Sequence, residues 1–180
     1  MKKYGLLLLS GMTATQASDF QLEIEIPRLK VSEYHRPYVA AWIEKPDRSH
    51  AANLAVWYDT EMKNDEGTKW LKDLRQWWRR SGRDLDMPVD GISGPTKPAG
   101  KHKVSITKAL ASLPPLAEGE YKLVVEASRE VGGREVVSIP FIWDGKTLKT
   151  QTSKGSSELG AVVLSQVETP ATTKNTNSSN

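Results

Sequence analysis

The sequence contains no cysteine. This absence excludes disulfide bonds, thiolate metal sites, covalent c-type haem and the lipidated cysteine of an anchored lipoprotein. An excess of charge is also lacking, since 25 Lys and Arg residues stand against 22 Asp and Glu residues, a formal net charge of +3. If Lys2 and Lys3 are removed with an N-terminal secretion signal, the formal net charge becomes 3 − 2 = +1. So small a net charge provides no electrostatic basis for binding nucleic acid.

Long hydrophobic runs are missing beyond the N-terminus, and the N-terminus itself has the features of a secretion signal. Two lysines precede the apolar stretch 4–14, and small residues stand around Thr15 and Ala17, as signal peptidase requires. The apolar stretch is too short to cross a bilayer. We therefore expect residues 1–17 to form a signal peptide cleaved after Ala17, leaving a soluble periplasmic protein that is not inserted in the membrane.

The far C-terminus is rich in Thr, Asn and Ser and has no apolar residue beyond Ala171. Such a segment cannot bury enough surface to offset the entropy of ordering it. We expect residues 169–180 to be a disordered tail. The intervening residues, 18–168, are of ordinary size for one domain and are numerous enough to form a core.

Alternation of apolar and polar residues predicts a mainly β fold. It is clear over 20–26, and again over Glu120–Ser128 and Glu135–Trp143, which flank a turn with Gly132 and Gly133. These glycines are expected to supply the positive φ of a tight hairpin turn. Further strands are expected at 38–44, 54–58, 103–107 and 159–167.

One segment, Thr68–Ser81, has helical periodicity instead. Its apolar residues make a single stripe that is expected to pack inward on the sheet: Trp70, Leu71, Leu74, Trp77 and Trp78. Thr68 is placed to begin the helix and Gly82 to end it. Together the elements predict an immunoglobulin-like β-sandwich with one inserted amphipathic helix.

The long irregular stretch after this helix contains the most informative motif. Its residues run Asp90, Gly91, Ile92, Ser93, Gly94, Pro95 and Thr96. This run resembles the acceptor motif of bacterial flavin transferases, which reads Asp, Gly, any residue, Ser or Thr, Gly or Ser, Ala, Thr. The resemblance implies that FAD:protein FMN transferase esterifies FMN through its phosphate to Thr96, with Asp90, Gly91, Ser93 and Gly94 as recognition residues. Pro95 departs from the motif, because proline replaces alanine and removes an amide donor. A Gly/Pro-rich turn with a solvent-facing threonine is the alternative.

Most of the chain is similar to an uncharacterised family of predicted periplasmic bacterial proteins, known by a domain-of-unknown-function label. The likeness lies in 57–59, in Lys69–Gly82 and in Gly119–Glu130. It implies a flavin-linked redox role outside the cytoplasm, since genes of similar proteins often lie near flavin transferases and PepSY-type membrane reductases.

Candidate contacts with the flavin follow from the helix and from a neighbouring strand. Arg79, Arg80 and Arg83 lie just before the motif, where a guanidinium could neutralise the flavin phosphate; a solvated basic face is the alternative. Trp57 or a helix tryptophan could shield the flavin ring, and core packing is the alternative for both.

No other catalytic pattern is present. The three histidines are scattered and form no zinc spacing, and no Gly-x-Ser-x-Gly, phosphate-binding or dinucleotide-binding motif occurs. We therefore expect an electron carrier with FMN on Thr96 rather than a stand-alone enzyme. A binding or adhesion module for sugars or proteins is the first alternative, and a row of exposed tryptophans away from Thr96 is its expected sign. A structural or assembly protein is the second.

Overall fold

The computed structural model describes residues 19–111, 113 and 115–167, so the predicted signal peptide and tail lie outside the described residues. Nine strands occur in these ranges: β1 Asp19–Ile26, β2 Tyr38–Glu44, β3 His50–Tyr58, β4 Ser93–Pro95, β5 Gly100–Ser105, β6 Gly119–Ser128, β7 Arg134–Trp143, β8 Gln151–Lys154 and β9 Ala161–Val167. They form a four-stranded sheet in the order β5-β1-β9-β8 and a five-stranded sheet in the order β4-β3-β2-β6-β7. No helix in these ranges is both long and apolar enough to cross a membrane.

The two sheets share one hydrophobic core. Leu22 of β1 and Val162 of β9 are fully buried in the same cluster as Leu54 and Val125 of the five-stranded sheet. This arrangement confirms the predicted mainly β sandwich. Strands β4 and β8 are too short to show a period-two pattern in the sequence. Because β4 pairs in parallel with β3, the larger sheet is mixed rather than purely antiparallel.

The prediction of one continuous helix over 68–81 is wrong. The chain instead forms 3-10 turns over Lys63–Asp73, breaks at Leu74, where ψ is 69°, and continues as the short helix α1, Arg75–Arg80. With three residues per 3-10 turn, Leu71 and Leu74 share the inner side, and the residue before Leu71 points elsewhere. Trp70, which was expected to pack inward, is therefore 50% exposed.

Helix α1 lies on the outer face of the five-stranded sheet and is held there by buried polar groups. The backbone amides of Gln76 and Trp77 donate to the carboxylate of Glu126, which is fully buried on β6. The indole N–H of Trp77 donates to Oδ1 of Asn53 on β3 at 2.9 Å. Gly82 follows the helix as predicted, where a Cβ would lie 2.6 Å from the Trp77 ring. These contacts fix where the helix begins and ends.

The predicted hairpin between β6 and β7 is confirmed, but the prediction for its glycines is wrong. Positive φ occurs at Val131, at 51°, and not at Gly132 or Gly133. The glycines provide space instead. A Cβ on Gly132 would lie 2.4 Å from Cζ of Arg129, and one on Gly133 would lie 2.8 Å from Oε1 of Glu158.

Candidate functional site

Five strand ends meet at one end of the five-stranded sheet. Pro95 pairs with Tyr58, whose ring contacts that of Tyr38 with 6.4 Å between centroids. Tyr38 pairs in turn with Ser128, and Ser128 with Arg134. At about 4.8 Å per strand, this row spans roughly 19 Å. The row thus places the end of the β4 motif and the β6–β7 turn on one surface, although they lie far apart in the sequence.

A cavity of about 830 Å³ runs along this row. Its volume is within the range of small-molecule and cofactor sites, about 300–1,000 Å³. Thr96 lines it from the β4 side, and residues 129–134 line it from the other. Four large apolar side chains that are exposed in the described part of the chain also line it: Tyr34, Met62, Trp70 and Val131. Such a concentration of exposed apolar surface is typical of a ligand or partner site.

The motif forms an ordered loop that leads into β4. The Asp90 carboxylate accepts the amide of Gly91, and the Ser93 hydroxyl accepts the amide of Val89, both at 2.9 Å. Gly91 has a φ of 78°, with open space where a Cβ would be, so glycine fits this position on backbone grounds. Ile92 then joins the sheet through its carbonyl, which accepts the Val56 amide at 2.8 Å.

Proline at position 95 costs the sheet no hydrogen bond. In a parallel pair, alternate residues of one strand bond to its neighbour. Here Ile92 accepts from Val56 and Thr96 donates to the Tyr58 carbonyl at 3.1 Å, so the nitrogen of Pro95 faces away from β3. Strand β4 is the edge of its sheet, where proline is tolerated.

Thr96 directly follows β4 and is half-buried on the cavity wall. Its amide is used by the sheet, but its hydroxyl has no hydrogen-bond partner among the described residues. Trp57 lies beneath this segment, only 5% exposed, with Nζ of Lys97 5.6 Å from its ring centroid. It supports the loop, while Trp70 presents an exposed indole to the cavity.

The three arginines singled out from the sequence do not line the cavity. Arg80 pairs with Glu44 at 3.2 Å, and the side chains of Arg79 and Arg83 donate to backbone carbonyls of the preceding turn. The arginines that do line the cavity were missed: Arg36, Arg75, Arg129 and Arg134. The predicted hairpin already grouped Arg129 with Arg134, but only the strand order brings them to the surface that Thr96 occupies.

Two ion pairs order the β6–β7 end of the cavity. Nη1 of Arg134 donates at 2.5 Å to Glu126, the carboxylate that also caps α1. Arg129 and Glu158 pair through two hydrogen bonds, of 2.9 and 3.0 Å, with both side chains nearly buried. Fork-like pairs of this kind fix the orientation of the guanidinium group.

Phenol groups lie between the two ends. Burial raises the pKa of Tyr38, although a hydrogen bond with the Asp59 backbone opposes this effect. Burial also raises the pKa of Tyr58. Both phenols are therefore neutral near pH 7, and Tyr38 lines the cavity.

Comparison with known families gives one match. A family model described as "Predicted periplasmic protein (DUF2271)" matches residues 19–161. No curated protein and no solved structure matches the chain.

Proposed function

Because the chain belongs to the DUF2271 family of predicted periplasmic proteins, we propose that it acts as an electron carrier in that compartment. In this proposal FMN is esterified to Thr96, and the protein relays electrons between a PepSY-type membrane reductase and an acceptor outside the cytoplasm. A bound flavin supplies electron-transfer chemistry that this cysteine-free chain does not otherwise contain.

One observation carries the proposal. The hydroxyl of Thr96 lies on the wall of an 830 Å³ cavity and has no hydrogen-bond partner in the described part of the chain. A hydroxyl that the fold itself does not use remains free to attack the FMN phosphorus of FAD; the phosphoester forms as the phosphoanhydride bond of FAD breaks, AMP leaves and the hydroxyl loses its proton. The adjoining cavity offers room for a cofactor attached at this position.

The residues of the motif fit this role. Asp90 and Gly91 are exposed at the tip of the loop, and Gly94 and Thr96 are partly exposed, so a transferase can reach them. Pro95 disturbs neither the strand nor its hydrogen bonds, which removes one objection to its replacement of alanine. Trp70 offers a flat exposed aromatic surface of the kind on which a flavin ring rests.

The test is flavinylation in the periplasm. The protein is co-expressed with a FAD:protein FMN transferase, and its intact mass and in-gel fluorescence are measured. We expect a mass gain of one FMN less one water in the wild type and none in Thr96→Ala. The matched control is Thr152→Ala, which removes an exposed threonine of β8 remote from the motif and should be modified like the wild type.

Two further variants sharpen the result. Pro95→Ala restores the motif and should be modified at least as fully as the wild type. Trp70→Ala should still carry FMN but with brighter flavin fluorescence, because a stacked indole quenches the flavin. An unmodified wild type, with a known acceptor domain modified in the same cells, would refute the proposal.

Failure of that test would favour a binding module. Of the six tryptophans, Trp70 alone is strongly exposed, so the predicted sign of a sugar-binding module, a row of exposed tryptophans away from Thr96, is not found in the described residues. The exposed apolar rim of the cavity would then mark a site for a protein or small-molecule ligand.

A further inference from the structure

Arg129 holds a buried hydrogen-bond donor that the protein leaves unused. Its side chain is 6% exposed, and its pairing with Glu158 employs Nε and Nη2. Nη1 is buried without a partner among the described residues. An unmatched buried donor is rare and unfavourable, especially on a charged group. The expected partner for a guanidinium N–H is an oxygen that carries negative charge.

The guanidinium cannot turn away to find another acceptor. Gly132 lies against it, and Oε1 of Glu158 also accepts the amide of Gly133 at 2.8 Å. Glu135 in turn accepts hydrogen bonds from Ser156, Ser157 and Leu159, which flank Glu158. The free donor is therefore preorganised, as in sites built to bind a ligand.

Other arginines line the same cavity. Arg134 lies across the turn from Arg129, and Arg36 precedes β2, the central strand of the row; both line the cavity and are exposed. Acidic groups line the cavity as well: Asp59, Glu61, Asp73 and Glu130. Their charges offset those of the arginines, so selection of an anion rests on directed donors rather than on net charge.

The Arg129 end is separate from Thr96. Arg129 follows β6, which is three strands from β4, so the backbones at the two positions are about 14 Å apart at about 4.8 Å per strand. A phosphate esterified to Thr96 therefore lies on the β4 side of the cavity, three strands away from Arg129.

We propose that the Arg129 end is a subsite for an oxyanion from solution, a carboxylate or phosphate group carried by a small molecule. Combined with the proposed function, this makes the acceptor an anionic small molecule that binds within the flavin cavity. The identification of the electron acceptor as an anionic small molecule rests on the proposed function, whereas the binding of an oxyanion at Arg129 does not.

The test uses Thr96→Ala protein purified from the periplasm, which cannot carry FMN, so its outcome is independent of flavinylation. Inorganic phosphate and succinate are titrated at constant ionic strength, with chloride as the reference, and backbone and arginine N–H signals are followed by NMR. We expect saturable shifts at Gly132, Gly133 and the Arg129 side chain. Absence of these shifts, or equal shifts with chloride, would overturn the proposal.

Variants distinguish a specific site from general attraction. Arg129→Met combined with Glu158→Leu removes both buried charges, a replacement that folded proteins often tolerate, and should weaken binding at least tenfold. Arg36→Gln, which keeps the buried pair intact, should weaken it several-fold. Arg28→Gln changes an exposed arginine outside the cavity and should have no effect. Equal binding by the double variant would overturn the proposal.

A last comparison separates the two sources of phosphate. If the flavin's own phosphate reaches Arg129, inorganic phosphate will bind Thr96→Ala protein but not FMN-bearing wild type, and the separate subsite would be refuted. Binding to both forms would support it.

Discussion

Replacing Glu135 with glutamine is expected to destabilise the protein at neutral pH and to have little effect near pH 2. The Glu135 carboxylate, at the start of β7, accepts three backbone amides and one hydroxyl from residues 156–159. Those residues lie between β8 and β9, so the carboxylate ties the edge of one sheet to a loop of the other.

The magnitude follows from the pKa of Glu135. Desolvation raises this pKa, but the hydrogen bonds from Ser156, Leu159 and Ser157 outweigh it and lower the pKa from 4.5 to about 2. At about 1.4 kcal/mol per pKa unit, the difference corresponds to roughly 3 kcal/mol. Because the carboxylate is partly exposed and water weakens its interactions, we expect about 2 kcal/mol.

The direction of the Glu135 pKa shift determines the pH range over which its carboxylate stabilises the fold. The folded-state pKa lies below the unfolded value, so the carboxylate stabilises the fold above pH 4.5, and this contribution disappears as the pH falls toward 2. Urea unfolding of wild type and Glu135→Gln should therefore differ by about 2 kcal/mol at pH 7, with the gap closing across that range. Glu120→Gln, at an exposed position of β6, is the control. A gap that stays constant with pH would refute the reasoning.

Three other substitutions test the packing described above. Gly82→Ala should lower stability by about 1–3 kcal/mol in thermal unfolding, because its Cβ would lie 2.6 Å from Trp77; Gly94→Ala, with 3.8 Å to its nearest neighbour, should change it little. Trp77→Phe should cost about 1–3 kcal/mol, because Oδ1 of Asn53 loses the indole donor and keeps only the Ser81 hydroxyl, and because the smaller ring leaves space in a fully buried position; an unchanged melting temperature would contradict that assignment. Val131→Gly should raise stability by about 1 kcal/mol by relieving a φ of 51°, and a lower melting temperature would show that the Val131 side chain contributes more than the strain.

Period-two alternation reports burial on one face directly, so most of the strands could be predicted from the sequence. The strand expected at 103–107 is only partly confirmed, because β5 ends at Ser105 and Ile106–Leu110 form a short helix. Prediction from the sequence fails where contacts between residues distant in the sequence determine the local backbone conformation. The break at Leu74 depends on Glu126, which lies 50 residues beyond Gln76 and caps the chain there. Likewise, the exposure of Trp70 follows from the 3-10 turns over Lys63–Asp73, whose three-residue period the α-helical spacing did not predict.

For the candidate site, the sequence singles out residues 90–96 as a hypothesis, and the structure places Thr96 on the wall of the cavity. The other walls of the cavity could not be predicted. Arg36, Arg129 and Arg134 carry no sequence pattern of their own, since only the order of the strands brings them together. The roles of Gly132 and Gly133 are hidden for the same reason, because the Arg129–Glu158 pair that they accommodate is not visible in the local sequence.

Pro95 also bears on how the protein behaves at high concentration. An edge strand with free amides can recruit an edge strand of another molecule, which is a common route to aggregation. Strand β4 has three residues, ends in proline and turns the nitrogen of that proline outward. This edge therefore offers few hydrogen-bonding groups to a neighbouring molecule, and Pro95 protects the sheet against edge-to-edge association.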